Sequence, residues 1–214
     1  MGISDRIYKK IERHAVKLSF VLALILAAAV TLGAWRRADE ASRAELQAHL
    51  AEEVLRFHVL ANSDSDADQE LKLSVRDRVL DYMAQSMPES EDAAGARNWV
   101  RANIDEIEKI SRDVVAGAGA DYPVSAAVTL CWFPEKSYGD VTFPEGNYEA
   151  LRIEIGAAKG HNWWCVLYPS LCFMDTTNAV VPREGKEKLK NVLTEEEYSR
   201  ITAETEFKIS WFFW

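Results

Sequence analysis

Outside the N-terminal region, a few cysteines and histidines are the residues of this chain that could carry out nucleophilic chemistry. Cys165 could act as a nucleophile with His58 or His161 as its base, because a thiolate forms readily beside an imidazole. His161 lies four residues from Cys165, which is too far for direct pairing along an extended strand. A surface histidine at a turn is the simpler interpretation, so we predict no catalytic residue.

Cys165 and Cys172 are also candidates for a disulfide. An extended strand would hold their Cα atoms about 23 Å apart, whereas a disulfide needs about 4.4 to 6.8 Å. A bridge therefore requires the chain to reverse, and a two-residue hairpin would leave Tyr168 and Pro169 at its tip. Proline at the third position of such a turn favours a cis peptide bond. We predict a Cys165–Cys172 disulfide and a cis Tyr168–Pro169 bond, with Cys131 as a buried free cysteine.

Aromatic residues are concentrated around these two cysteines. The stretch 160–173 places Trp163, Trp164 and Tyr168 close to His161. Aromatic side chains complete hydrophobic cores and also dominate the energetics of protein interfaces. We expect the inward-facing ones to anchor a strand, and we take His161, Trp163, Trp164 and Tyr168 as candidate partner-binding residues.

Three aspartates at alternate positions, Asp64, Asp66 and Asp68, could supply carboxylate oxygens to a calcium ion. A calcium loop beginning at Asp64 would need glycine at its sixth position and glutamate at its twelfth, where this chain has Gln69 and Val75. Capping of a following helix explains these aspartates better. Because the sequence also lacks zinc-ligand spacing and a phosphate-binding glycine loop, we predict no metal and no cofactor.

The charge distribution argues against one class of partner. The chain carries 25 basic and 34 acidic side chains, of which five and two lie in the first 35 residues, which leaves 20 and 32 in the remainder. The net charge of the remainder is therefore −12. Nucleic acid requires clustered lysine and arginine, so we predict that this body binds no nucleic acid.

An uncharged run at 18–35 follows a basic N-terminus at 1–17. As a helix the run would be about 27 Å long, close to the hydrocarbon thickness of a bilayer. The preceding cations favour a cytoplasmic N-terminus and an exported body. We predict a signal-anchor or signal-peptide helix at 18–35, a helical stalk at 36–54 and an exported domain at 55–214.

Hydrophobic spacing divides the exported domain into strands and helices. The predicted strands are 55–60, 124–133, 148–155, 163–173 and 206–214, and the predicted helices are 66–87, 96–117 and 183–201. Residues 134–147 have the proline and glycine content of an ordered connecting loop. The order of elements favours an α+β fold, in which a membrane or signal helix precedes one domain with a mostly antiparallel sheet packed against amphipathic helices.

Four motifs between residues 50 and 175 carry a resemblance to a known family. They are FHVLANSDS at 57–65, FPEKSYGDVTFP at 133–144, NYEALR at 147–152 and NWWCVLYPSLCF at 162–173. In combination these motifs resemble the stage II sporulation protein R family.

The resemblance implies an exported signalling protein rather than an enzyme. It implies a protein made in the forespore and sent to the intermembrane space, where it binds and activates a membrane-embedded aspartic protease of the mother cell. That protease would then process pro-sigma-E. The resemblance implies no catalytic residue, cofactor or small-molecule substrate. Two alternatives remain open, namely an exported Cys-His hydrolase acting on cell-envelope material and a coat or septal scaffold.

Overall fold

A computed structural model describes the backbone of residues 3–89, 92–169, 172 and 183–209. The chain divides into two compact units, Met1–Glu45 and Leu46–Trp214. In chain order the elements are α1 (Ile3–Glu53), β1 (Leu55–Leu60), α2 (Asp66–Ser86), α3 (Ala93–Ala102), α4 (Ile104–Gly117), β2 (Val124–Phe133), β3 (Lys136–Tyr138), β4 (Val141–Phe143), β5 (Gly146–Ile155), β6 (Asn162–Tyr168), α5 (Arg183–Val192) and α6 (Glu195–Ile209).

The first unit consists of the N-terminal part of α1. The segment Val16–Glu53 contains an 18-residue window with a mean hydropathy of 2.3, and none of that window is buried. Its length and composition are sufficient to cross a membrane. The helix continues through the predicted stalk without a break as far as Glu53.

The last two turns of α1 contribute to the second unit. Leu46 and Leu50 lie one turn apart on the same face of the helix, and Val54 follows at the same spacing. All three are buried in a hydrophobic cluster that includes Val141 of β4 and Leu189 of α5. The compact unit therefore begins at Leu46, within the segment predicted as a stalk.

A four-stranded sheet with the strand order β2-β5-β1-β6 forms the centre of this unit. Strand β1 is parallel to β5 and antiparallel to β6, and β2 is antiparallel to β5. The prediction of an α+β domain with a mostly antiparallel sheet is confirmed. Every residue of β1 is buried because this strand is central and both faces of the sheet are covered.

A different hydrophobic cluster covers each face of the sheet. Phe57 and Val59 point towards α2, α3 and α4, where they share a hydrophobic core with Val75, Val100 and Ile107. The opposite face carries a second cluster formed by β2, β5, β6, the β3–β4 hairpin, the end of α1 and the last two helices. Its buried members are Leu46, Leu50, Val54, Cys131, Phe133, Val141, Phe143, Tyr148, Ala150, Val166, Leu189, Leu193 and Ile201.

Some segments fold differently from their predicted form. The helix predicted at 183–201 is two helices, α5 and α6. The helix predicted at 96–117 is broken at Asn103, whose backbone N–H bonds the carbonyls of Trp99 and Val100 and whose side-chain amide also donates to Trp99. The loop predicted at 134–147 contains the β3–β4 hairpin. Its turn is possible because Gly139 adopts a φ of 59°, a conformation that side chains other than glycine rarely tolerate.

The strand predicted at 206–214 is corrected for the residues that the structure describes. Residues 206–209 belong to α6, and 210–214 lie outside the described residues. Helix α6 begins with a capping box, in which the Glu197 backbone N–H bonds the Thr194 hydroxyl and the Glu197 carboxylate bonds the Thr194 backbone N–H. The helix that begins at this box continues through residues 206–209, where the alternating pattern favoured a strand.

We predict that Leu50→Ala will lower the free energy of unfolding by about 3 kcal/mol, because it leaves a cavity in the second cluster. The matched control is Leu73→Ala on α2, whose side chain is exposed and whose loss should cost less than about 1 kcal/mol. Denaturant unfolding of the full chain in detergent micelles, followed by tryptophan fluorescence, measures both. Equal, small effects would show that the end of α1 does not belong to the domain core.

Candidate partner-binding surface

Two loops meet beside the junction of β1 and β6. The backbone N–H of Gly160 donates to the Ala61 carbonyl at 3.0 Å, and that of Lys159 donates to the Asn62 carbonyl at 3.3 Å. A Cβ atom at Gly160 would collide with the backbone carbonyl of Ser63. Only glycine therefore permits this close approach, which fixes the segment 61–65 against the turn 156–161.

Asp64 and His161 form the exposed part of this junction. The Asp64 Oδ1 atom accepts a hydrogen bond from the His161 backbone N–H at 2.6 Å and lies 2.5 Å from His161 Nδ1. These bonds, the backbone one first, lower the pKa of Asp64. The His161 side chain is 82% exposed, so it is available to a partner.

The Asp68 side chain stabilises the segment 61–65 through hydrogen bonds. Its carboxylate accepts hydrogen bonds from the Ser63 hydroxyl at 2.5 Å and from the Asn62 side-chain amide at 2.9 Å, and both lower the pKa of Asp68. Ser65 caps α2 by accepting from the Asp68 backbone N–H. Asp64 and Asp68 are thus used in loop contacts, Asp66 lies in the first turn of α2, and Ser65 supplies the cap. The described residues contain no group of three or more potential metal ligands.

Lys72 links helix α2 to the turn before β6. Its ammonium group donates to the carbonyl of His161 at 3.0 Å and to the side-chain oxygen of Gln69 at 2.5 Å. Burial lowers the pKa of Lys72. Because this buried cation bonds the His161 main chain, the exposed imidazole is held by a rigid backbone.

The two adjacent tryptophans of β6 are half-buried on opposite faces of the sheet. The Trp163 ring packs edge-on against Phe57, with centroids 5.5 Å apart, and the guanidinium of Arg76 lies 5.1 Å from its centroid. The Trp164 ring stacks on His58 at 4.9 Å. Since β6 is at the edge of the sheet, each indole stays partly exposed on its own face.

The other end of β6 carries the remaining candidate residues. The predicted Cys165–Cys172 disulfide is present, with Cα atoms 5.5 Å apart, and the predicted cis Tyr168–Pro169 bond is present too. Cys131 is free and buried, as predicted. Tyr168 is only 4% exposed, so its ring contributes to the core and not to the exposed surface around His161.

The structure does not bring Cys165 and His58 together. Cys165 is paired with Phe57 and His58 with Trp164 across the same two strands, which puts the cysteine and the histidine side chains on opposite faces of the sheet. Cys165 is also bonded to Cys172 and has no free thiol. The pairing of Cys165 with His58 as nucleophile and base is therefore ruled out in this structure.

Comparison with known proteins gives the family. The model for Stage II sporulation protein R matches residues 51–178. The chain belongs to this family. A curated relative, stage II sporulation protein R of Bacillus subtilis strain 168, is 38% identical over 159 residues, which cover 73% of this chain and 70% of the relative. No solved structure matches the chain.

Membership of the stage II sporulation protein R family assigns the chain a role in sporulation. The matched residues contain the whole four-stranded sheet, both loops of the exposed junction and the disulfide. They also contain His161, Trp163 and Trp164, and they exclude most of α1. The family pattern is therefore carried by the folded domain and the surface that it presents.

Sequence reasoning missed one buried charge of this family member. Arg56 is fully buried, where its Nε atom donates to the Cys165 carbonyl at 3.2 Å and its Nη2 atom to the Tyr138 hydroxyl at 3.0 Å. Its guanidinium lies 4.3 Å from the ring centroid of Phe133 and 5.0 Å from that of Tyr148. The alternation of side chains along β1 puts Arg56 on the face opposite Phe57. Arg56 is buried because the second cluster covers that face as well.

We predict that Gly160→Ala will lower the free energy of unfolding by more than about 2 kcal/mol, because the added Cβ meets the main chain of Ser63. Gly117→Ala is the matched control. A Cβ at Gly117 meets nothing within 4 Å, and alanine is favoured in a helix by up to about 1 kcal/mol. Thermal unfolding of the two variants measures the difference. A Gly160→Ala protein as stable as the parent would contradict the close approach of the two loops.

His58 gives a prediction about pH. Burial lowers the pKa of His58 from 6.5 to about 3, and repulsion from Arg152 and Arg56 adds to this effect. Between these values the unfolded chain binds a proton that the folded chain does not, so stability falls as the pH is lowered through 6.5. One such group contributes about 1.4 kcal/mol per pH unit. His58→Phe retains the ring and removes the proton site.

The free energy of unfolding should therefore decrease less between pH 7 and about pH 4.5 in His58→Phe than in the parent protein. Denaturant titrations at several pH values in this window measure both slopes. If the two proteins lose stability equally as the pH falls, His58 is not held neutral by its surroundings.

Proposed function

We propose that this chain is an exported sporulation signal that binds and activates a membrane-embedded aspartic protease of the mother cell, which then processes pro-sigma-E. The observation that carries the proposal is that the family match covers the folded domain and its exposed surface around His161. The family's place in sporulation supports this role, and the curated relative bears the same family name.

Export from the forespore is part of the proposal. The N-terminal helix is long and apolar enough to serve as a signal anchor, and the basic side chains that precede it favour a cytoplasmic N-terminus. The Cys165–Cys172 disulfide supports an extracytoplasmic domain, because disulfides persist outside the reducing cytoplasm. The domain would then face the intermembrane space and meet the protease there.

The β6 edge, with Asp64, His161 and one tryptophan on each face of the sheet (Trp163 and Trp164), is the docking site that we propose for the protease. It combines an exposed imidazole with the half-exposed edges of two indole rings, the type of aromatic group that dominates interface energetics. Its backbone is fixed by the Asp68 and Lys72 hydrogen bonds. A preformed surface binds with less loss of conformational entropy than a flexible one.

Activation follows if this surface binds the active state of the protease more tightly than the inactive state. A ligand shifts an equilibrium only by the difference between its affinities for the two states. The hydrolase alternative has no comparable support, because Cys165 is bonded and His58 lies on the other face of the sheet.

Reconstitution tests this function. The full chain, the protease and its pro-factor substrate are placed in one set of proteoliposomes, and cleavage of the pro-factor is followed. We expect cleavage to depend on the added chain and to fall about tenfold with His161→Ala, a typical loss for an exposed interface residue. Lys109→Ala, on the exposed face of α4, is the matched control and should leave cleavage unchanged.

Two outcomes would contradict the proposal. Cleavage that is independent of the added chain would exclude activation. If Cys165→Ser abolished activity while folding and protease binding stayed intact, the chain would instead act as an enzyme.

A further inference from the structure

We propose that the outer edge of β2 is a second docking site, which takes an extended, basic segment of a protein partner as a fifth strand of the sheet. Strand β2 lies at one end of the strand order and β6 at the other. The β2 edge is therefore separate from the surface around His161, and both can be occupied together. The proposal does not depend on the function proposed for that surface.

The backbone of β2 has hydrogen-bonding groups that point away from the sheet. The Ala126 N–H bonds the Glu108 carboxylate at 3.2 Å, which shows that this amide faces outward rather than towards β5. In an antiparallel pair the outward direction recurs at every second residue, so Val128, Leu130 and Trp132 face the same way. Among the described residues, no strand pairs with this edge.

The side chains along this edge are unusual for the edge strand of a sheet. Leu130 is 65% exposed and Trp132 is 56% exposed, and both lie on the same face of β2. Proteins normally protect an edge strand with charge, proline or a bulge. Val124–Phe133 has no charged residue and no proline, and its pairing with β5 is regular. The open part of the edge is thus suited to main-chain pairing with alternate apolar side chains.

The negative charge of the domain favours a basic partner segment at this edge and disfavours a second copy of the chain. Residues 36–214 carry a net charge of −12. Helix α4, which contacts β2 through Glu108, carries four acidic and two basic residues. Two copies of this domain would repel one another, whereas lysines beside the apolar residues of an added strand would be attracted. The occupant is therefore an extended segment with alternating apolar and basic residues.

Amide hydrogen exchange with a synthetic probe tests the proposal. The probe is an eight-residue peptide of alternating valine and lysine, and its counterpart alternates valine and glutamate. With the full chain in zwitterionic detergent micelles, the lysine peptide should slow exchange at the amides of Val128, Leu130 and Trp132 about tenfold. Added salt should weaken this protection. The glutamate peptide should give none.

Two substitutions at one position separate strand pairing from general attraction. Leu130→Pro removes an outward amide that the β2–β5 ladder does not use, and proline is tolerated on edge strands. Leu130→Lys keeps the amide and repels the basic probe. Each should weaken binding of the lysine peptide about tenfold. Leu73→Lys, at an exposed leucine on α2, is the matched control and should bind as the parent does.

If Leu130→Pro does not fold, the binding of the lysine peptide to Leu130→Lys tests the proposal. The proposal is overturned if neither peptide protects β2, or if protection appears only at β6. It is also overturned if the chain alone forms a dimer that Leu130→Lys disrupts, because the occupant would then be a second copy. None of these readouts requires the protease, so failure here leaves the result at His161 unaffected.

Discussion

The burial of Arg56 is the constraint on which the second face of the sheet depends. Transfer of a charged group from water into a protein interior is costly unless other groups replace its hydration. No carboxylate pairs with Arg56 among the described residues; it is accommodated by the Cys165 carbonyl, the Tyr138 hydroxyl and the faces of aromatic rings. Burial lowers the pKa of Arg56, yet a guanidinium stays protonated at neutral pH. The rings and both hydrogen-bond acceptors must therefore stay in place.

This requirement connects elements that are far apart in the sequence. Arg56 is on β1, its carbonyl acceptor is on β6, and its hydroxyl acceptor is on the β3–β4 hairpin. Burial lowers the pKa of His58, which lies two residues along β1 on the same face, and repulsion from Arg152 and from Arg56 adds to this effect, so His58 is kept neutral. A neutral imidazole can stack between Trp164 and Phe133 without a charged partner. One buried cation thus links the hairpin to β1 and β6, and it adds to the effects that keep its neighbour neutral.

Local patterns in the sequence predicted most of the elements but not the second covered face. The bounds of β1 and β2 follow from alternation, and the disulfide and the cis proline bond follow from the reach of the chain between Cys165 and Cys172. Burial of Arg56 depends on rings that come from β2 to β5, and a single strand carries no sign of them. The end of α1 did carry a signal, since Leu46 and Leu50 repeat at helical spacing, but its packing partners are about a hundred residues away.

The junction of Asp64 and His161, beyond the C-terminal end of β1, was also not predictable from local sequence patterns. The motif 57–65 and the tryptophan pair of β6 are both visible in the sequence, but their contact depends on the register between the two strands and on the absence of a side chain at Gly160. That contact places the Asp64 carboxylate against His161. A loop whose aspartates resemble a calcium site thus holds an imidazole in position. Asp64 and Asp68 are close together because both hold this loop in one shape. A surface that is already formed favours binding to one state of a partner, so such a shape would serve the function proposed above.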